Sequence, residues 1–121
     1  MDSQNSLIKS FKYAIEGVVF SIKHNANFRI YIGVAILVIL ASILFDVNPF
    51  EMGILGVMIL LVFICEMINT AIEEMVNLIT TEHRQQAKIA KDVGAGMVLI
   101  TSLGSVIVGF LIFFPYILRL F

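Results

Sequence analysis

The chain has 121 residues, of which 60% are apolar and 14% charged, and its formal net charge is -1. This composition excludes a soluble domain of this size and points to one membrane unit with no nucleic-acid partner. A single cysteine, Cys65, excludes an intramolecular disulfide, and its place in an apolar run marks it as a packing residue.

The polar N-terminus, MDSQNSLIKS, has no cleavable signal pattern, so the first span is expected to be retained. Between Leu7 and Lys23 the residues Leu7, Phe11, Ile15, Val18 and Ile22 recur at helical spacing, with Lys9, Lys12 and Glu16 among the positions between. This pattern predicts an amphipathic helix over about 6–24, lying at the membrane surface. Ile30 to Phe45 is free of charge and, with its flanks, predicts a first span over about 28–47. Pro49, within Asp46 to Glu51, disfavours helical geometry at Asn48 and predicts a chain reversal.

The next apolar stretch opens at Met52, and its helical pattern runs past Glu66 to Ile79, which predicts a second span over about 52–79. That is longer than one crossing needs, so its end should emerge from the membrane. Thr80 to Asp92 is polar, and Val93 to Leu118 has no ionisable group except Tyr116, which predicts a third span over about 92–118. Its small residues, among them Gly94, Gly96, Ser102, Gly104 and Gly109, allow close helix approach. No repeat or linker divides residues 1–121, so one domain is expected. The predicted fold class is all-α: an integral membrane protein with an N-terminal amphipathic surface helix and three transmembrane helices. Lys9, Lys12, Lys23, Arg29, Arg84, Lys88 and Lys91 flank the spans on one side, which predicts a cytoplasmic N-terminus and an outside C-terminus.

Glu66, Asn69, Glu73 and Asn77 stand out because ionisable groups within an apolar helix are costly and usually face a bundle interior or a site. Their offsets of three, seven and eleven residues from Glu66 bring them near one helix face. Two carboxylates and an amide there supply hard oxygens for Mg²⁺, or one carboxylate acts as a base. Lys91 and Asp92, expected at the start of the third span, add a cation for phosphate and a further anion. The set suits phosphoryl transfer. Interfacial, solvated charges are the plain alternative, and for Glu74, Glu82 and Lys88 that plain reading is preferred. No GxxxxGK[ST] or GxGxxG loop is present, which excludes a soluble nucleotide-binding fold, and His24 and His83 lack metal-ligand spacing.

EMINTAIEEMVNLI followed by AKIAKDVGAGMVLI resembles the signature of the bacterial diacylglycerol kinase and undecaprenol kinase family. The resemblance extends through HNANFRIY to the ending FLIFFPYI, which is similar to the undecaprenol kinase branch. It implies a homotrimer in the bacterial cytoplasmic membrane that uses ATP and Mg²⁺ to phosphorylate a membrane lipid alcohol. By that resemblance Glu66 is the catalytic carboxylate and Asn69 its hydrogen-bonding support. Glu73 is a metal ligand that also holds ATP, Lys91 neutralises phosphate charge, and Asp92 lies on the nucleotide side.

The chain departs from the family pattern twice. Asn25 stands where the family usually has a glutamate that serves as the second metal ligand, and Asn77 stands where it usually has aspartate. Both departures predict weaker Mg²⁺ binding, and Asn25→Glu is expected to raise Mg²⁺ affinity and turnover. Undecaprenol is the expected acceptor, with diacylglycerol as the alternative. A non-catalytic membrane protein built on the same polar groups is the competing class, and absence of ATP-dependent lipid phosphorylation would favour it.

Overall fold

The computed structural model describes residues 3–121, in four helices and their connections. They are α1 (Ser3–His24), α2 (Ala26–Leu44), α3 (Pro49–Ile79) and α4 (Gln85–Leu118). The last three are long and apolar enough to cross a membrane. Most of their large apolar side chains face outward, Leu44 and Ile100 among the most exposed, as a hydrocarbon solvent requires. Hydroxyls that fall inside the helices are satisfied locally: buried Ser42 donates to the Val38 carbonyl and buried Ser21 to that of Gly17.

Each helix boundary has a local cause. Asn25 caps α2, its side-chain oxygen accepting from the Asn27 and Phe28 N–H groups, so α2 starts ahead of the expected residue 28. Past Leu44 the chain turns through Asp46 at φ 54°, ending α2 before residue 47. Asn48 caps α3 and Pro49 takes its first turn, where a missing N–H costs nothing, so this helix too starts before residue 52. α4 begins at Gln85, two turns before the expected 92, because QQAKIAKD is rich in strong helix formers despite its polarity. Pro115 is accommodated close to the end of α4.

The main packing is the antiparallel α3–α4 pair; α2 leans on α3, and α1 touches α2 and α3. At one end Val47, Leu55 and Ile112 form a buried apolar cluster, flanked by Phe45 and Phe113 with ring centroids 6.2 Å apart. There the Tyr116 hydroxyl donates to Glu51 Oε1 at 2.7 Å and accepts from the Asn48 N–H at 3.2 Å, tying the α2–α3 turn to the end of α4. Helix lengths decide the other end. With 19 residues α2 is about 28 Å long, close to one bilayer core, while α3 with 31 reaches about 46 Å. The far end of α3 and the start of α4 therefore project past the start of α2.

Candidate active site

The corner between α1 and α2 faces the middle of α3. Arg29 fastens that corner by donating from Nη1 to the Ile22 and Lys23 carbonyls at 3.1 and 2.9 Å, which occupies acceptors left open at the end of α1. Asn25 is thereby held against α3, and its Nδ2 donates to Glu66 Oε1 at 2.7 Å and to Thr70 Oγ1 at 3.0 Å. Thr70 in turn donates to the Glu66 backbone carbonyl at 3.0 Å. Asn25, Glu66, Asn69, Thr70 and Glu73 line one cavity of about 240 Å³, with Phe20 and His24 of α1 at its edge.

Glu66 is 1% exposed, and its Oε2 has no hydrogen-bond partner. A buried carboxylate held by one neutral amide is far from the pairing that burial of charge demands. Asn69, 8% exposed, repeats the situation: its Oδ1 is buried without a partner while its Nδ2 makes a long 3.4 Å bond to Glu73 Oε1. Two acceptors without partners are thus buried on residues that line a small polar cavity. Gly94 of α4 packs against Asn69, and a Cβ there would collide with the amide oxygen.

Lys91 and Asp92 lie in the second turn of α4 rather than at its N-terminus, because the helix starts at Gln85. Since Gly94 lies level with Asn69 and Ile72, Lys91 is level with Glu73 on the antiparallel neighbour, but its Nζ bends one turn on to Asn77 Oδ1 at 2.9 Å. Asp92 accepts from Lys88 at 2.6 Å on the exposed surface. These residues line a second polar cavity of about 460 Å³ with Asn77 and Arg84, and no residue lines both cavities. Four of the expected residues, Asn25, Glu66, Asn69 and Glu73, are therefore gathered together, while Lys91 and Asp92 stand apart from them within one chain.

For a divalent cation the fit is partial. No group of three or more His, Cys, Asp or Glu side chains gathers to hold one among the described residues. Asn25 was expected as a metal ligand; here its oxygen accepts from two N–H groups at the N-terminus of α2. Glu73, exposed and next to the Asn69 amide nitrogen, does fit a cation that brings most of its own ligands, as Mg²⁺ does on nucleotide phosphates. Thr70 and the contact between Gly94 and Asn69 were missed by sequence reasoning. Thr70 follows Glu66 by four residues and so shares its face, which was the available signal.

Residues 12–113 match the sequence profile of prokaryotic diacylglycerol kinase. The chain belongs to this family. An undecaprenol kinase of Bacillus subtilis is 37% identical over 111 residues, covering 92% of this chain and 90% of the relative. A diacylglycerol kinase of Synechocystis is also 37% identical, over 116 residues, but the chain spans only 66% of that relative's length. A diacylglycerol kinase of Escherichia coli is 33% identical over 102 residues, covering 84% of this chain and 83% of the relative. Family membership and the three apolar helices make the chain an integral membrane protein.

Proposed function

We propose that the protein is a lipid kinase that moves the γ-phosphate of ATP to the hydroxyl of undecaprenol at the cytoplasmic membrane. The observation that carries this reading is Glu66 Oε2, an acceptor buried without a partner on a residue that lines a polar cavity. A lipid alcohol supplies the missing donor. Its proton passes to Oε2 as the oxygen bonds to the γ-phosphorus, and the bond from that phosphorus to the β-phosphate oxygen breaks to release ADP. Asn69 orients the reacting groups through its amide. Glu73 would hold Mg²⁺ together with the phosphates, and the metal would supply charge neutralisation there. Lys91 leaves Asn77 to neutralise charge on the transferring phosphate of the site it completes, and Asp92 stays on the nucleotide side.

An apolar groove of about 330 Å³ between α2, α3 and α4 supports a long-tailed substrate. It runs from Tyr31 and Phe63, whose ring packs on that of Phe28 near Asn25 in the chain, to Val38 and Phe113. The separation of the two polar cavities is in keeping with a homotrimer in which neighbouring protomers complete each other's sites. The corner that holds Asn25 and the α3–α4 loop share one end with seven basic residues, in keeping with a cytoplasmic site.

Undecaprenol is preferred over diacylglycerol because the Bacillus relative is matched over almost its whole length. Diacylglycerol is the second reading, favoured by the names of the Synechocystis and E. coli relatives. Purified protein in lipid micelles, given labelled ATP and each alcohol in turn, should phosphorylate undecaprenol with the higher kcat/KM. Preference for diacylglycerol would reverse the substrate assignment, and transfer undiminished in Glu66→Gln would remove Glu66 as proton acceptor.

A further inference from the structure

Asn25 occupies the one residue between α1 and α2, and every polar group of its side chain is spent. Oδ1 accepts from Asn27 and Phe28 N–H at 3.0 and 3.3 Å, and Nδ2 donates to Glu66 Oε1 and Thr70 Oγ1 at 2.7 and 3.0 Å. Turning the amide over would set its N–H groups against two N–H donors and its oxygen against a carboxylate, so only one orientation is compatible with the surroundings. The 2.7 Å bond lies at the short end of the range for an N–H donor and an oxygen acceptor. It fixes one carboxylate oxygen and leaves the other, Oε2, as the free one.

We propose that Asn25 is a positioning residue for Glu66, its amide holding Oε1 so that Oε2 is presented to the substrate hydroxyl, and that it is not a metal ligand. The proposal rests on the reading of Glu66 as proton acceptor given above. A carboxylate at position 25, capping α2 with one oxygen, would turn its other oxygen toward Glu66 Oε1, and the pair would need a proton or a cation between them. The amide needs neither. In this chain the corner therefore supplies to Glu66 a donor that a more acidic site would obtain from a bound ion.

Asn25→Ser and Asn25→Asp separate the two roles, because both keep a good helix cap and both lose the donor to Glu66. Kinetics with ATP and the lipid alcohol should show kcat lowered about 10- to 100-fold in both, the range typical of lost orienting partners, with KM for either substrate little changed. Mn²⁺ binding, followed by its paramagnetic resonance with a non-hydrolysable ATP analogue, should be the same in Asn25→Ser as in wild type. In wild type the Asn25 side-chain carbonyl carbon resonance should not move when Mg²⁺ and the analogue are added; this needs no variant to fold. Weaker Mn²⁺ binding in Asn25→Ser, a faster Asn25→Asp enzyme with tighter Mn²⁺, or a carbonyl resonance that moves with metal would each overturn the assignment. Glu66→Gln assayed alongside distinguishes the failures. If it stays active the proton-acceptor reading fails, and if it is inactive while Asn25→Ser keeps wild-type kcat only the role of Asn25 fails.

Discussion

Replacing Gly94 by alanine sets a methyl group where the Asn69 amide oxygen now lies, with Asn69 Cγ 3.3 Å and Ile72 Cδ1 3.6 Å away. The oxygen has little room to yield, because Asn69 is buried at 8% exposure and its amide nitrogen already reaches toward Glu73. Alanine gains up to about 1 kcal/mol over glycine in a helix interior. Overpacking at a closed contact costs about 1–3 kcal/mol, so the net expectation is a loss of up to about 2 kcal/mol. The larger effect should be on turnover, since a displacement of about 1 Å at an orienting group can lower the rate about 100-fold. Gly96→Ala is the internal control: two residues on, the same substitution meets nothing within 4 Å, and it should keep both stability and turnover. Chemical unfolding in micelles and steady-state kinetics of the two variants measure both effects. Wild-type turnover in Gly94→Ala would refute the placement of Asn69 against α4.

Lys91→Met should lower transfer about 100- to 1000-fold, as loss of one charge-stabilising group does, while leaving α4 intact; an unchanged rate would confine Lys91 to its bond with Asn77. Tyr116→Phe removes the donor to Glu51 at the opposite end of the bundle, so it should cost about 1 kcal/mol of stability with KM for ATP unaltered. Asn48→Ala deletes the α3 cap and a partner of Glu51, with an expected loss of about 1–2 kcal/mol in the same unfolding assay.

The three crossings were legible because an apolar run long enough to span a bilayer has few other structural explanations, and Glu66 was legible because its burial is so costly. The start of α4 was not. Hydropathy marks where a helix enters lipid, and Gln85 to Asp92 is helical outside that limit. Asn25 shows a chemical ambiguity of sequence: the oxygen that suits a metal ligand is the same atom that caps a helix, and the cap bonds to Asn27 and Phe28 are visible only in the structure. Lys91 illustrates a limit of spacing arguments. Register places its backbone level with Glu73, but the side chain's length takes its charge a turn away to Asn77.

The α1–α2 corner links the bilayer to the chemistry. α1 presents Leu7, Phe11 and Ile15 outward, and its last carbonyls are gripped by Arg29, one turn from the residue that holds Glu66. Because Arg29 ties the end of α1 to the start of α2, a displacement of α1 against α3 would carry the Asn25 amide away from Glu66. The same corner that orders two helices thus also sets which oxygen of Glu66 is left without a partner.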